Sequence, residues 1–399
     1  MHYLQQHLQN NPRHAYGFFQ AGNLFRSLEQ WPQALNAFSE ACRLDPEQSE
    51  LHTSLGIIYN QMQKPESAIA SFNTACEKSR DPAIRYNRAM AMLLAGRYRE
   101  GWKEHEYRLQ VPHKKANYEW HPALRPWQGQ PFSGQTLVVY NEQGLGDDIQ
   151  FCRYLPSVKA LGGNVVFVTS RSLVPVMSTL YGVDQVIERG RGNAETLKEF
   201  EWVVPVMSLP YIFRTTLGSI PNQTPYLSVT PLYRNKWQVL MKPYMTQPGA
   251  KKIGLVYASR PGHLLHRTSP LPMWSSLFSL PGLQWFSVQK GGETGALQKF
   301  AAIQSNIVDL TDNIDDFGDT AALLEQLDLL ISVDTSVPHL AGALGKPVWL
   351  LLPFISEWRW LLHRSDSPWY PSFRLFRQPA PGQWQPVMDQ VRQALLSIQ

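Results

Sequence analysis

The sequence has few cysteines, and the three that it has, Cys42, Cys76 and Cys152, are widely separated. Their number and spacing are not those of a disulfide framework or of a zinc site. No apolar run approaches the ~20 residues that a transmembrane helix needs. The chain starts with MHYLQQHLQNNPRH, which lacks the pattern of a signal peptide. These features predict a soluble, cytoplasmic protein without a transmembrane segment.

Strong charge and metal-binding patterns are also missing. The net charge is only +5, and no run of lysines and arginines stands out. Such mild basicity suits an anionic ligand but does not predict binding to nucleic acid. His263 and His266 have H-x-x-H spacing, but no cysteine or carboxylate partner lies near them in the sequence. The sequence therefore predicts neither a metal site nor a cofactor.

The first hundred residues repeat with a period of 34 residues. Small and large side chains agree through the whole repeat, which is the pattern of the tetratricopeptide repeat, a pair of antiparallel helices. A third unit drifts by one residue near Gly96, as is typical of the end of an array. The pattern predicts an α-helical repeat array over residues 1–110. The matching positions are Gly22 and Gly56, Phe25 and Tyr59, Ala34 and Ala68, Phe38 and Phe72, and Ala41 and Ala75.

Stacked repeats form a concave groove that is lined by the first helix of each unit. Asn23, Asn60 and Asn87 fall on those first helices. Asparagine side chains can hold the backbone of an extended peptide, so we expect a protein or peptide partner in this groove. The alternative is that the array serves only as a scaffold or a dimerisation surface.

The rest of the chain alternates between strand and helix patterns. Residues 111–134 contain Pro and Trp and predict a linker. The βα alternation of residues 135–245 starts again in residues 246–399, after a stretch with two prolines and a glycine. This organisation predicts two doubly wound, Rossmann-like domains that face a cleft, with ligands at the carboxyl ends of the strands.

The clearest strand–turn–helix pattern lies in residues 327–353, LDLLISVDTSVPHLAGALGKPVWLLLP. An apolar run reads as a buried parallel strand, and Asp334, Thr335 and Ser336 stop it. Either hydroxyl can cap the following helix, and Pro338 fits its first turn. The free N–H groups at that helix N-terminus suit a phosphate. The alternative is an ordinary, well-capped βαβ turn.

A second turn of this kind contains Gly144, Leu145 and Gly146. It resembles a dinucleotide fingerprint, but Ile149 stands in place of the third glycine and the next strand does not end in an acidic residue. These departures disfavour a nicotinamide or flavin enzyme. Asp147 and Asp148 open the helix instead, either as chemically active carboxylates or only as partners of the helix dipole.

Three segments resemble known proteins. GLGDDIQFCRYLP resembles the Gly-Asp turn of heptosyltransferase-like (family 9) glycosyltransferases, and SVDTSVPHLAGALGKPVWLLLP resembles their nucleotide-sugar motif. With the repeats, the segment EWRWLLHRSDSPWYPSFRLFRQ resembles bacterial tetratricopeptide-repeat proteins that carry this transferase domain. The resemblance implies a GT-B fold that binds its donor mainly through the C-terminal domain.

The resemblance also implies roles for individual residues. Asp147 falls on the general base of the family, although Asp148 departs from its pattern. Donor-binding roles fall on positions that contact phosphate and on positions near the nucleoside. Among the latter, Asp319 and Thr320 open the helix predicted over Thr320–Leu327, which in the family approaches the nucleoside. The rings of Trp358, Trp360, Trp369 and Tyr370 either wall a sugar pocket or belong to the core, as aromatic residues at this density do at least as often. The implied donor-binding residues are Arg267, Thr268, Gln289, Lys290, Asp319, Thr320, Asp334, Thr335, Ser336 and His339.

The function implied by this resemblance is an inverting, metal-independent transfer of a sugar from a nucleotide-diphosphate sugar to a hydroxyl. Because the repeats predict a protein partner, we expect a Ser or Thr of a docked protein as the acceptor. Two alternatives remain from the sequence. One is a glycolipid or saccharide acceptor, and the other is a non-catalytic adaptor with a degenerate transferase domain.

Overall fold

The computed structural model describes residues 11, 13–112, 124–190, 199–245, 249–259, 267–291, 297 and 306–398. The chain divides into two compact units. The first contains Met1–Glu119, Phe213–Ser219 and Ile355–His363, and the second contains Trp120–Ile212, Ile220–Phe354 and Arg364–Gln399. No helix in the described part of the chain is long and apolar enough to cross a membrane.

The first unit is a helical repeat array. Its helices pack in antiparallel pairs because a glycine in the first helix of a repeat leaves room for a phenylalanine of the second. A Cβ atom on Gly22 would lie 2.6 Å from the Phe38 ring, and one on Gly56 would lie 2.6 Å from Phe72. The same close glycine–phenylalanine contact thus recurs after 34 residues, which confirms the predicted period. The described helices α1–α6 span Ala15–Ser27, Trp31–Leu44, Ser49–Gln61, Pro65–Lys78, Pro82–Leu94 and Tyr98–His105.

The turns between paired helices show where the repeat drifts. Glu29 and Gln63 have positive φ angles of 55° and 58°, and Gly96 has a φ of 78°. The first two are 34 residues apart, whereas Gly96 follows Gln63 after only 33. In the third repeat, the residue with a positive φ angle comes one position earlier than in the first two repeats. This confirms the predicted shift of one residue near Gly96. Glycine adopts this conformation without strain.

A segment from late in the chain packs against the last repeat within the first unit. Trp358 makes edge-to-face contacts with Tyr98 and Trp102, with ring centroids 6.3 Å and 5.2 Å apart. All three rings are buried. Trp358 therefore covers the apolar end of the array, where a further repeat would otherwise stack.

The second unit contains two parallel sheets. The described strands β1–β11 span Arg125–Pro126, Thr136–Tyr140, Asn164–Thr169, Gln185–Glu188, Trp202–Pro205, Lys251–Val256, Leu283–Ser287, Ile307–Val308, Leu329–Val333, Val348–Leu352 and Phe373–Arg377. The described helices α7–α15 span Leu145–Phe151, Leu155–Lys159, Val174–Met177, Leu209–Ile212, Pro231–Met241, Ser275–Phe278, Phe317–Glu325, Ser336–Ala343 and Gln385–Leu396.

Every strand pair in these sheets is parallel. Among the described strands, the first sheet has the order β1-β5-β2-β3-β4 and the second the order β11-β10-β9-β6-β7-β8. Val138 of β2 lies opposite Val166 of β3, and Leu330 of β9 lies opposite Val348 of β10. The central strands are buried on both faces, as their continuous apolar sequences predict. The predicted fold class, a helical repeat array followed by two Rossmann-like halves, is confirmed.

Three local predictions differ from the structure. The segment predicted as a linker, residues 111–134, contributes the edge strand β1, and Trp127 and Phe132 are buried beside it. Strand β11 was not predicted, because its sequence FRLFR carries two arginines at an edge of the sheet. Helix α13 begins at Phe317, not at Thr320, because Asp316 caps it.

Candidate active site

The carboxyl ends of the second sheet border a cavity of about 490 Å³. Leu145 and Ser172 from the first half also line it, so both halves of the second unit contribute. Five of the ten predicted donor-binding residues are among its lining residues. They are Gln289, Lys290, Thr320, Thr335 and Ser336.

The turn after β9, residues 334–339, forms one wall of the cavity, and we call it the threonine turn. Thr335 has an extended backbone and its Oγ1 accepts a hydrogen bond from the Val337 N–H at 3.4 Å, so it is the N-cap of α14. The helix presents its N-terminus to the cavity through Thr335, Ser336 and Val337. An uncovered helix N-terminus offers N–H donors and a positive partial charge to an anion.

Arg267 lies against this turn. Its Nη1 atom is 3.4 Å from Oδ2 of Asp334 and donates to the Asp334 carbonyl oxygen at 3.4 Å. Asp334 is buried, and the Arg267 side chain is only 12% exposed. Asp334 therefore holds the guanidinium beside the start of α14 and is not itself a lining residue of the cavity.

His339, on the first turn of α14, does not line the cavity but lies where the two halves meet. A Cβ atom added to Gly146 of α7 would lie 3.1 Å from Cδ2 of His339 and 3.5 Å from Cα of Ser336. A side chain at this position would be in tight contact and would require His339 to shift by a few tenths of an ångström. Gly146 thus has a packing role at the junction between the two turns.

Of the other residues predicted to bind the donor, some line the cavity and some form hydrogen bonds that hold the surrounding loops in place. Gln289 lines the cavity, but its Oε1 also accepts from the N–H groups of Tyr257 and Ala258 at 3.2 Å and 2.9 Å. Lys290 donates from Nζ to the carbonyl of Ile314. Thr268 accepts from the Ser259 N–H at 3.2 Å and is not a lining residue. Gln289 and Thr268 therefore also fix the loops that follow β6.

Asp319 has a structural environment. Its carboxylate is 1% exposed and accepts from Lys236, from the Trp237 indole and from the Asp315 N–H at 2.7–2.9 Å. Burial works to raise the pKa of this carboxyl, but the three donors outweigh it and the pKa is lowered. Asp319 ties α13 to α11 and does not line the cavity.

Asp316 is a lining residue that the sequence analysis missed. Its Oδ1 accepts from the N–H groups of Gly318 and Asp319 at 2.7 Å and 3.2 Å, and its Oδ2 accepts from the Tyr233 hydroxyl at 2.7 Å. The signal was present, because an aspartate directly before an apolar helical pattern is an N-cap candidate. The helix was expected three residues later, which placed Asp319 in that role.

The turn after β2, residues 144–148, is the glycine turn. Asp147 is half-buried, and its Oδ2 accepts from the Gly144 N–H at 2.8 Å. This bond fixes the carboxylate at the start of α7. It agrees with the alternative in which Asp147 only stabilises the helix N-terminus. Leu145 of the same turn lines the cavity, so the glycine turn lies beside the cavity.

Asp148 points away from solvent. It is 1% exposed, and its Oδ2 accepts from the Thr169 hydroxyl at 2.9 Å. Burial raises the pKa of this carboxyl well above its ordinary value, and the nearby Asp147 adds to the increase, although the bond from Thr169 opposes it. Asp148 therefore favours the neutral, protonated form, unlike a catalytic base.

A second cavity, of about 840 Å³, adjoins the first. Ser172, Asp315 and Asp316 line both cavities. Arg171 and Glu188, which follow or end strands of the first sheet, complete its charged lining. Three carboxylates and one guanidinium thus border the space next to the candidate donor cavity.

Comparisons with known proteins agree with this architecture. A family model described as a TPR repeat matches residues 22–63. Protein FlbA of Caulobacter vibrioides is 26% identical over 418 residues, which cover 98% of this chain and 69% of that protein. The repeat array is thus identified both by its sequence and by its helices.

Among solved structures, a family 9 glycosyl transferase from Veillonella parvula is similar to the second part of the chain. It is 13% identical, with a TM-score of 0.52 over 68% of this chain and 99% of that one. The ADP-heptose LPS heptosyltransferase II of E. coli is 13% identical, with a TM-score of 0.45 over 66% of this chain and 99% of that one. The first likeness establishes the GT-B fold.

The aromatic residues that were candidates for the wall of a sugar pocket lie elsewhere in the structure. Trp358 packs in the first unit, and Trp369 and Tyr370 are fully buried around Arg153. None of these rings, and not Trp360, lines the described cavity, so the predicted aromatic wall is wrong there. Large aromatics are core residues at least as often as they are ligand contacts.

The groove asparagines Asn23, Asn60 and Asn87 are all half-buried on first helices of the array. Oδ1 of Asn60 is buried and accepts no hydrogen bond from any described residue. A buried amide oxygen without a donor is costly to the free energy of folding.

No three His, Cys, Asp or Glu side chains stand together at metal-binding distances within the described residues. His263 and His266 lie outside those residues.

Proposed function

We propose that the protein is a glycosyltransferase that moves a sugar from a nucleotide-diphosphate sugar to a hydroxyl, with inversion and without a metal ion. The observation that carries this proposal is the N-terminus of α14, which opens into the 490 Å³ cavity beside Arg267. In a GT-B fold this cavity lies at the carboxyl ends of parallel strands, where such folds bind nucleotides.

The donor diphosphate would bind at the threonine turn. The N–H groups at the start of α14 and the hydroxyl of Ser336 would provide donors at one end of the cavity. Arg267, which contacts Asp334 of the same turn without lining the cavity, would add positive charge nearby. The nucleoside would occupy the part lined by Lys290, Asp316 and Thr320. Carboxylate and hydroxyl groups there suit the hydroxyls of a ribose.

The transfer forms a bond between the acceptor oxygen and the anomeric carbon and breaks the bond from that carbon to the diphosphate oxygen. The proton of the acceptor hydroxyl goes to Asp147, and the bonding electrons leave with the diphosphate. Asp147 suits the role of base because the Gly144 N–H orients its carboxylate in the turn whose Leu145 lines the donor cavity. The helix N-terminus and Arg267 stabilise the charge that develops on the leaving group.

The acceptor would enter through the 840 Å³ cavity. Its lining has three carboxylates, Glu188, Asp315 and Asp316, against the single guanidinium of Arg171. The excess of negative charge in this lining favours a neutral or basic acceptor over an anionic glycolipid. A neutral or basic protein segment with a Ser or Thr fits this charge, and the repeat array would capture the same protein through its groove.

A thermal-shift screen against ADP-, UDP-, GDP- and CMP-sugars tests the donor class. One nucleotide-sugar should raise the melting temperature, since a ligand that binds only the native state stabilises it. That donor is then incubated with proteins of the native host, and intact masses are measured with and without EDTA. We expect one added sugar mass per modified site in both conditions.

Two outcomes would contradict the proposal. If none of the nucleotide-sugars stabilises the full chain at millimolar concentration, the donor assignment is wrong. If EDTA abolishes transfer and Mg²⁺ or Mn²⁺ restores it, the metal-independent mechanism is wrong, although the donor class would stand.

A further inference from the structure

Helices α7 and α14, one from each half of the second unit, approach each other closely. A Cβ atom on Gly146 of α7 would lie 3.5 Å from Cα of Ser336, at the start of α14. At the other end of α7, the ring of Phe151 meets the Trp369 ring edge-to-face, with centroids 5.6 Å apart. The glycine turn and the threonine turn are therefore joined at one packed junction between the halves.

A buried arginine spans this junction. Arg153 lies two residues after the end of α7 and is 4% exposed. Its guanidinium donates to the Gln150 carbonyl at 2.7 Å in the first half and to the Trp369 carbonyl at 2.6 Å in the second. It also donates to the Pro221 carbonyl at 3.3 Å, in the crossover segment, residues 220–230, which leads from the first half to the second. One side chain thus binds the backbone of both halves and of the segment between them.

The crossover segment is held from both sides. The Tyr226 hydroxyl accepts from Arg153 at 2.9 Å and donates to the Ile149 carbonyl of α7 at 2.9 Å. The N–H groups of Tyr226 and Leu227 donate to the Ala343 carbonyl of α14, at 2.9 Å and 3.2 Å. The crossover segment is therefore tied to the helix that follows each of the two turns.

The Trp369 carbonyl is itself fixed to the second half. Tyr370, the next residue, packs so closely against Gly342 of α14 that a Cβ atom on this glycine would collide with its ring. The Arg153 guanidinium also lies over the rings of Trp369 and Tyr370, 5.4 Å and 4.5 Å from their centroids. Movement of α14 relative to α7 would therefore have to break the hydrogen bond from Arg153 to Trp369.

The chemistry of the side chain explains why arginine suits this position. A guanidinium has five N–H donors in a rigid plane and accepts no hydrogen bonds, so the direction of each bond made by Arg153 is defined. Its acceptors here are three carbonyl oxygens and one hydroxyl, from three parts of the chain. A lysine would keep the charge but would present its donors from a single atom.

We propose that Arg153 is a positioning residue that fixes the glycine turn against the threonine turn, so that the cleft between the halves has one width before any substrate binds. Under the proposed function, on which the catalytic part of this inference rests, α7 carries the base Asp147 and α14 presents donors to the diphosphate. A fixed spacing holds the acceptor oxygen in reach of the anomeric carbon, and a misplacement of about 1 Å can lower a rate by about 10²-fold.

The test is the distance between the halves, measured by double electron–electron resonance on the full chain without substrate. Ser157→Cys in the first half and Ser279→Cys in the second provide sites for spin labels, both at exposed positions. Cys42→Ala and Cys76→Ala remove the cysteines of the repeat array, and Cys152 is buried. With Arg153 in place, we expect one narrow distribution of distances. Two populations, or one broad distribution, would overturn the inference.

Three variants test whether Arg153 is responsible. Arg153→Lys should broaden the distribution or add a second distance, because the planar set of donors is lost. Tyr226→Phe removes one acceptor of Arg153 and the bond to Ile149, and it should broaden the distribution less. Arg108→Lys is the matched control, since Arg108 is also fully buried but lies in the first unit, and its distribution should stay narrow.

The same variants can refute the role. An unchanged distribution in Arg153→Lys would do so, and if that variant does not fold, an unchanged distribution in Tyr226→Phe decides in the same way. Equal broadening in Arg108→Lys would show that the loss of any buried guanidinium loosens the chain, which also contradicts the assignment to Arg153.

Kinetics separate positioning from a general loss of structure. All the residues that line the donor cavity except Leu145 and Ser172 belong to the second half. Arg153→Lys should therefore change the donor dissociation constant by less than about threefold. Transfer requires both turns, so kcat should fall by about 10²-fold. A loss of donor affinity as large as the loss in kcat, or an unchanged kcat, would refute the positioning role.

The two tests separate this inference from the proposed function. The distance measurement requires no donor, acceptor or turnover. A chain that transfers no sugar but shows one narrow distance, which broadens in Arg153→Lys, would refute the proposed function and leave the fixed junction in place. An active chain with two distances would refute only the fixed junction.

Discussion

In each sheet of the second unit, a buried parallel strand ends in a polar turn that leads into a helix. Strand β2 leads through the glycine turn into α7, and β9 leads through the threonine turn into α14. The glycine turn is capped from within the helix, where the Asp147 carboxylate accepts from the Gly144 N–H. The threonine turn is capped from outside the helix, where the Thr335 hydroxyl accepts from the Val337 N–H.

The different caps give the two turns different electrostatics. A carboxylate at the start of α7 cancels the positive end of the helix dipole, whereas a neutral hydroxyl at the start of α14 leaves it available. Arg267 lies beside the threonine turn and is paired there with the Asp334 carboxylate, 3.4 Å from its Nη1 atom. The two turns thus differ in the group that caps each helix, a carboxylate in one and a hydroxyl in the other, and that difference is our reason for placing the base at one and the diphosphate at the other.

Within the glycine turn, the carboxyl groups of Asp147 and Asp148 have different environments. Asp147 is half-buried at the start of α7, whereas Asp148 is buried against Thr169, and burial raises the pKa of its carboxyl. Only the first has the exposure to solvent that a base for an acceptor hydroxyl requires. Adjacent residues of one helix can therefore be expected to behave oppositely on substitution.

The largest expected effect separates these two carboxyls. Asp147→Asn should lower sugar transfer by roughly 10²–10⁴-fold, the usual range for a lost general base. Asp148→Asn, the matched control, should retain most of the activity because an amide resembles the neutral acid in shape. Transfer rates are measured with saturating donor. Near-normal turnover of Asp147→Asn would exclude this residue as the base.

The second effect concerns the threonine turn. Arg267→Ala or His339→Ala should weaken binding of the nucleotide-diphosphate sugar by roughly 1.5–3 kcal/mol for each charge-assisted hydrogen bond that the substitution removes. Isothermal titration of the full chain measures this change. Thr268→Ala is the matched control, since the Thr268 hydroxyl accepts a hydrogen bond from the Ser259 N–H within the protein. Equal weakening in the control would indicate a disordered site and not the removal of a direct hydrogen bond to the donor.

The third effect concerns the repeat array. Joint replacement of Asn23, Asn60 and Asn87 by Ala should raise the KM for a protein acceptor, since each amide holds peptide backbone in the groove. Deletion of residues 1–80 should raise it more steeply, while donor binding stays unchanged. The exposed Asn36, on a second helix, provides the control Asn36→Ala.

Transfer to host proteins is compared among these forms at limiting acceptor. A truncated chain that binds donor and modifies the acceptor as well as the full chain does would show that the groove is not the acceptor site. The array would then serve as an assembly surface, and the acceptor cavity alone would determine which protein is modified.

The smallest effect is on stability. Because the folded pKa of Asp148 is raised, the native state binds a proton that the unfolded chain has released once pH exceeds the ordinary value for an aspartate. The free energy of unfolding therefore falls as pH rises from that value through the raised pKa. Asp148→Asn cannot lose this proton, so it should gain in melting temperature relative to the unmodified protein as pH rises.

Calorimetry from pH 4 to pH 8 measures this trend, with a shift of about 2–4 °C expected for each kcal/mol. A difference in melting temperature that is constant across the range would show that Asp148 does not titrate between the two states. In that case its burial would be a matter of packing alone.

The repeats and the central strands could be predicted because their signals are local and periodic. Gly22 and Gly56 mark the helix pairs, and the apolar run of β9 predicts burial on both faces. Strand β11 could not be predicted, because its sequence FRLFR carries two arginines and lacks the continuous apolar run of the central strands. Trp358 was missed because nothing in EWRW indicates that it covers the last repeat.

Within the site, the kinds of residue could be predicted more easily than which of them line the cavity and which bond to other parts of the protein. Thr335 and Ser336 line the cavity as expected, because a capped helix after a parallel strand has only one geometry. Asp319 and Thr268 make framework bonds instead, and Asp316 takes the position that Asp319 was expected to fill. Such assignments depend on where a helix begins, and a shift of three residues is within the uncertainty of a sequence pattern.

The most direct test of the central claim is the donor dissociation constant of Asp147→Asn and Arg267→Ala, measured side by side by isothermal titration. If the threonine turn binds the diphosphate and the glycine turn acts only on the acceptor, Asp147→Asn should bind the donor as the unmodified protein does, and Arg267→Ala should bind it more than about tenfold more weakly. Equal weakening in both variants, or weakening in Asp147→Asn alone, would contradict the assignment of the two turns.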